Sequence, residues 1–185
     1  MSKQNLNMIL KDYYNKEVKG KLMKELNISN VMAVPKVVKI VVNVGAGEAT
    51  ANKGVLEKIS EQLALITGQK PVITKARVSV SAFKLRKGLP IGVKVTLRGK
   101  KMEAFLEKLI KIIIPRFKDF RGVPEKNIDQ HGNLNLGIRE QIIFPEIDFD
   151  KIDKIRGLQV TVVTNALSKE KGKKLFELLG IPFAK

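Results

Sequence analysis

Apolar residues return every third or fourth position in four stretches of this chain and every second position in three others. The first spacing belongs to a helix with one buried side, the second to a strand with one buried face. Over residues 5–26, Leu6, Ile9, Leu10, Tyr13, Tyr14, Val18, Leu22 and Leu26 form a stripe that predicts an amphipathic helix, broken or frayed near Gly20. Leu56, Ile59, Leu63 and Ile66 predict a second helix, with Thr50 and Asn52 as candidate caps and Gly68 as its stop. Met102, Phe105, Leu106, Leu109, Ile110 and Ile113 predict a third over residues 100–114, ended by Pro115. A last helix begins at Ser168, and Gly180 stands where its carboxy-terminal cap belongs.

Pro35 leads into the first alternating run, over residues 36–44. There Val38, Ile40, Val42 and Val44 share one face, and Lys39, Val41 and Asn43 share the other. In residues 93–98, Val93, Val95 and Leu97 point one way while Lys94, Thr96 and Arg98 point the other. Residues 158–164 alternate in the same manner, and the short apolar runs 71–74 and 141–144 read as further strands. Helices and strands do not alternate as regular units. The expected fold class is therefore α+β, a mostly antiparallel sheet with helices packed on one face, in a single domain over residues 1–185 with a long basic loop.

Charge changes the picture of the exposed faces. The chain carries a formal net charge of +17, with 35 Lys and Arg against 18 Asp and Glu. Ten of those cations fall between Gln62 and Met102, a stretch with no carboxylate: Lys70, Lys75, Arg77, Lys84, Arg86, Lys87, Lys94, Arg98, Lys100 and Lys101. Such a run repels itself unless the charges spread into solvent or meet a polyanion. Residues 75–90 place basic side chains among small ones, with Phe83, Leu85 and Leu89 as the bulky apolar exceptions, which fits a long hairpin or a mobile loop. Acidic lipid would also attract these charges, but they lie on strands and loops rather than on one basic amphipathic helix. Nucleic acid is the better partner. Two strands with an apolar back and a cationic, hydrogen-bonding front are what an RNA platform needs. Aromatic residues make up only 5% of the chain, so recognition is expected to rest on backbone and shape rather than base stacking.

Little in the sequence suggests an enzyme. There is no cysteine, so thiolate metal sites and cysteine nucleophiles are excluded. The one histidine, His131, sits in a polar loop, and Asp119, Asp129, Asp148, Asp150 and Asp153 lack metal-loop spacing. These carboxylates read as caps or as partners for Arg116, Arg121, Arg139 and Arg156. Gly45-Ala46-Gly47 after the first strand suggests a dinucleotide turn, but Thr50 replaces the third glycine and no acidic ribose anchor follows. No catalytic residue, cofactor or metal is expected. The amino terminus lacks the apolar core of a signal peptide and no run approaches a membrane span, so a cytoplasmic protein with no membrane partner is expected.

Four longer motifs carry a resemblance: VPKVVKIVVNVGAGEA (34–49), ALITGQKPVITKARVSVSAFKLRKGLPIGVKVTLRG (64–99), PRFKDFRG (115–122) and GIREQIIFPEIDFDK (137–151). In order and over nearly the whole chain, they resemble the bacterial large-subunit ribosomal protein five family. The resemblance implies a structural constituent of the large ribosomal subunit that binds 5S rRNA in the central protuberance and touches large-subunit rRNA. It places Lys39, Asn43, Gln69 and Thr96 at positions that contact 5S rRNA; Lys94 and Arg98 join them as polar-face residues of their strand. It also implies that Lys75, Arg77, Lys84, Arg86 and Lys87 reach the P-site tRNA, and that another surface bridges to small-subunit ribosomal protein thirteen. The sequence departs from the family pattern at DQHGNL, where Gln130-His131 and Leu134 stand in place of a more usual Gly-Arg pair and an aromatic.

Overall fold

The computed structural model describes residues 10–50, 52, 54–117, 122–148 and 152–184. The expected positions Leu6, Ile9, Asp119, Arg121 and Asp150 lie outside the described residues. The fold is α+β, built on a five-stranded antiparallel sheet. Its strands are β1 (Val37–Gly45), β2 (Val72–Lys75), β3 (Pro90–Leu97), β4 (Leu134–Ile138) and β5 (Leu158–Thr164), in the spatial order β2-β3-β1-β5-β4. Contacts divide the chain into two compact units, one of Met1–Ile40, Arg98–Asn135 and Thr161–Lys185, the other of Val41–Leu97 and Leu136–Val160.

In the second unit, helix α3 (Gly54–Thr67) buries Leu56, Ile59, Leu63 and Ile66, the stripe its spacing predicts. It packs on β2 and β3, whose partner strand residues Val93, Val95 and Leu97 are buried as well. Asn52 accepts a hydrogen bond from the Gly54 N–H at its start (3.1 Å), while Thr50 instead closes the short turn Gly47–Thr50 on the Gly47 carbonyl (3.0 Å). Gly68 ends the helix with φ +63°. β2 pairs antiparallel with β3, Val72 opposite Lys94 and Thr74 opposite Gly92. A side chain at Gly92 would stand 2.8 Å from the Val44 carbonyl and 2.9 Å from Thr74 Oγ1, so only glycine lets these strands close.

The run 141–144 is not a strand. Gln141–Ile143 is a 3-10 turn, because Gln141 is used up by the segment before β5. Its N–H donates to the Arg156 carbonyl, its Nε2 to the Lys154 carbonyl, and its Oε1 accepts the Arg156 N–H, at 3.1 to 3.2 Å. The strand in this region is β4, which buries Leu134, Leu136 and Ile138 in alternation.

In the first unit, the amino-terminal helix runs through α1 (Leu10–Tyr13), a π-helical stretch (Tyr14–Val18) and α2 (Lys19–Glu25). Gly20 sits inside α2, so the expected break there does not occur; the irregularity lies upstream, in the wider π turn. Tyr13 donates to the Leu178 carbonyl (3.2 Å) and Tyr14 to that of Pro35 (2.8 Å), and both rings thereby tie this helix to distant parts of the chain. Helix α4 (Gly99–Lys108) continues as a π turn over Leu109–Ile113 and buries Met102, Phe105, Leu106, Leu109 and Ile113. Helix α5 (Lys169–Leu178) is capped by the Ser168 hydroxyl, which accepts from the Lys171 N–H (3.4 Å), and Gly180 follows it with φ +94°. In β1, Ile40 is buried as expected, whereas Val38 is 43% exposed. Among the described residues no buried side-chain nitrogen or oxygen lacks a partner.

Candidate nucleic-acid interface

Strand alternation places the candidate residues. On β1, Val42 and Val44 are buried, and Lys39, Val41 and Asn43 on the opposite side are only half-buried. On β3, Lys94 is exposed and Thr96 half-buried between buried Val93, Val95 and Leu97. On β5, Gln159 is exposed between Leu158 and Val160. The second unit therefore presents a polar strand face bearing Asn43, Lys94, Thr96 and Gln159, opposite the face that meets α3. Its hydrogen-bonding groups are amides, a hydroxyl and an ammonium, the set that recognises sugar and phosphate.

Gln69 joins this face through a contact that no spacing reveals. Gly68 turns the chain out of α3, and Gln69 Nε2 then donates to the Thr96 carbonyl (3.2 Å). The Thr67 hydroxyl steadies the same turn, 2.7 Å from the Leu63 carbonyl and 3.2 Å from that of Gln69. Asn43, Gln69, Lys94 and Thr96 thus belong to one unit, while Lys39 and Arg98 fall in the other. Lys39 shares its side of β1 with Asn43, and exposed Arg98 immediately precedes α4.

Residues 75–90 form a hairpin, the first of the two expected alternatives. The Ala76 N–H donates to the Leu89 carbonyl (2.8 Å), and the Gly88 N–H returns to that of Ala76 (2.9 Å). Val80 and Leu85 exchange bonds of 2.9 and 3.1 Å below a 3-10 turn at Ser81–Phe83. The Ser79 hydroxyl also accepts the Lys87 N–H (2.9 Å). Lys84 adopts φ +50° at the tip, and Phe83 beside it is 76% exposed. Lys75, Arg77, Lys84, Arg86 and Lys87 are all exposed, and none forms an ion pair with another described residue.

Two carboxylates of this unit, Glu48 and Asp153, are engaged elsewhere. Arg156 is 7% exposed and pairs with Glu48 (2.6 Å) and Asp153 (2.9 Å); Lys154 adds a second contact to Glu48 (2.9 Å) and Lys58 one to Asp153 (3.6 Å). Hydrogen bonding from Arg156 holds the Asp153 carboxyl down to about 2, and the Lys154 and Arg156 bonds lower that of Glu48. The Gly45-Ala46-Gly47 turn accordingly delivers Glu48 to Arg156 and Lys154. His131 is exposed; its N–H and that of Asn133 donate to Asp129 Oδ1 at 2.9 and 2.8 Å, which makes this tip a self-closed turn. Burial raises the Asp129 carboxyl, but the bonds from Asn133 and His131 outweigh it and leave it lowered. Among the described residues no His, Asp and Glu cluster could hold a metal, and no helix is long and apolar enough to cross a membrane.

Sequence reading missed Gln159, Gly137 and Arg139 on this side of the sheet. Alternation in β5 was available to find Gln159, whereas Gly137 and Arg139 needed the position of β4.

Known proteins resemble this chain over most of its length. A model of the ribosomal L5-protein family C-terminus matches residues 90–183, and one of ribosomal protein L5 matches residues 30–86. The chain is 56% identical over 176 residues to the large ribosomal subunit protein uL5 of a Synechococcus species, covering 95% of this chain and 98% of that protein. It is 54% identical over 174 residues to the proteins of the same name from Citrifermentans bemidjiense and Geotalea daltonii, covering 94% of this chain and 97% of each.

Proposed function

Since the chain belongs to the ribosomal protein L5 family, we propose that it is a structural constituent of the large ribosomal subunit, without enzymatic activity, that seats 5S rRNA on its polar strand face. The observation that carries this reading is the face itself. Asn43, Lys94 and Thr96 project from strands whose other side is core, and the Gln69 amide is fixed to the same strand by its bond to Thr96. Rigid elements hold these groups, so little ordering is needed when RNA docks. Lys39, Lys94 and Arg98 would neutralise phosphates, while Asn43, Gln69 and Thr96 bond sugars and backbone.

The hairpin is the second contact of this proposal. Its five cations, Lys75, Arg77, Lys84, Arg86 and Lys87, are presented on an ordered ladder and fit the backbone of P-site tRNA or large-subunit rRNA. Small-subunit ribosomal protein thirteen is the proposed protein partner, the cytoplasmic ribosome the proposed location, and the whole chain is proposed to serve this one RNA-binding role.

Binding of 5S rRNA and of a length-matched unrelated RNA, titrated at several salt concentrations, tests the proposal. Six to ten phosphate contacts predict a loss of roughly 10³ to 10⁵ in affinity between about 50 and 200 mM salt, with 5S rRNA preferred throughout. Equal affinity for both RNAs at every salt concentration contradicts it.

A further inference from the structure

The ends of β1, β4 and β5 in the second unit frame an open groove of about 480 Å³, lined among others by Asn43, Gly45, Gly137, Arg139, Gly157 and Gln159. Its three glycines differ. Gly157 is closely packed, since a Cβ there would stand 3.1 Å from the Ile138 carbonyl. At Gly45 and Gly137 an added Cβ would meet nothing within 4 Å, and neither residue has a positive φ. Packing and backbone conformation thus give no reason for glycine at two strand positions where it weakens the strand. What glycine leaves at both positions is bare backbone facing the groove, room for another chain to approach closely.

The groove walls say what kind of chain. Arg139 is exposed and pairs with no carboxylate among the described residues; exposed Gln159 and half-buried Asn43 likewise make no hydrogen bond to a described residue with their amides. A guanidinium takes a phosphate through two parallel bonds, and amides serve ribose hydroxyls as donor and acceptor. No aromatic side chain lines the groove to stack a base.

We propose that this groove seats a ribose-phosphate strand of RNA, with Gly45 and Gly137 as its floor, Arg139 on a phosphate, and Asn43 and Gln159 on ribose hydroxyls. The inference rests on the reading of the strand face as the 5S rRNA platform and adds Gly45, Gly137, Arg139 and Gln159 to it. Filling the floor should then block RNA without harming the protein.

The test compares the full chain with its Gly137→Val, Gly137→Ala, Gly45→Ala and Arg139→Gln variants, by thermal melting and by anisotropy titration with 5S rRNA at two salt concentrations. Gly137→Val is expected to melt no lower than the parent and to bind 5S rRNA at least about tenfold more weakly, with the salt slope unchanged, because the loss is steric. Gly137→Ala and Gly45→Ala should lose affinity less and remain folded, so the test stands even if valine is not tolerated. Arg139→Gln should lower the slope of log affinity against log salt by about one, the signature of one lost phosphate contact. Folded glycine variants that bind 5S rRNA like the parent would overturn the inference while leaving the platform reading intact. A parent chain that does not prefer 5S rRNA to a length-matched RNA would overturn both.

Discussion

Two groups of cations within the second unit meet opposite fates. Arg156 is buried and held by Glu48 and Asp153, so its charge is cancelled inside the protein. Arg77, Lys84, Arg86, Lys87 and Lys94 are exposed and have no carboxylate partner among the described residues. The difference lies in where the chain spends its acids: none falls between Gln62 and Met102, while Glu48 and Asp153 bracket one arginine. A basic composition alone therefore does not identify a binding surface. On the proposed reading, the cations that serve RNA are those the fold leaves unanswered, and the arginine it answers is structural.

Removing each kind separates the two roles. Arg156→Ala leaves Glu48 and Asp153 without their shared buried partner, and a loss of about 2–4 kcal/mol in stability is expected by urea denaturation. Its 5S rRNA affinity, measured where the variant is folded, should change little. Neutralising Arg77, Lys84 and Arg86 together to Gln should leave stability within about 0.5 kcal/mol of the parent. The same triple variant should weaken binding to any RNA and reduce the salt slope by about 2 to 3. A stability loss in the hairpin variant comparable to that of Arg156→Ala would erase the distinction.

Acid sharpens the same comparison. The Asp153 carboxyl titrates at about 2 in the folded chain against an ordinary 3.8, so folding favours its charged form. That contribution is complete above about pH 4 and is lost as the pH falls toward 2, because the unfolded chain then binds the proton first. Stability of the parent should fall over this window more steeply than that of Arg156→Ala. The smallest effect is expected at the self-closed tip: His131→Ala exchanges an exposed side chain whose backbone, not its ring, makes the turn, and should shift stability by less than about 0.5 kcal/mol.

Much of this was legible in residue spacing, for stated reasons. β1, β3 and β5 alternate strong strand formers with polar residues, and α3, α4 and α5 carry uninterrupted stripes, so local pattern and burial agree. β4 was missed because Asn135 and Gly137 are poor strand formers that hide the alternation of Leu134, Leu136 and Ile138. Residues 141–144 misled in the opposite sense: an apolar run looks like a strand until the bonds of Gln141 to residues 154–156 are known. Of the candidate site, Lys39, Asn43, Lys94 and Thr96 followed from alternation, whereas the bond of Gln69 to Thr96 spans 27 residues and the open floor at Gly45 and Gly137 exists only once three strands meet.

The central claim is that the strand face confers RNA specificity and the unpaired cations confer affinity. The most direct measurement is the ratio of affinities for 5S rRNA and a length-matched RNA, in the parent, in Asn43→Ala and in the hairpin triple variant, at one fixed salt concentration. The account predicts that Asn43→Ala collapses the ratio toward one, while the triple variant lowers both affinities and keeps the ratio. A ratio preserved in Asn43→Ala and lost in the hairpin variant would contradict it.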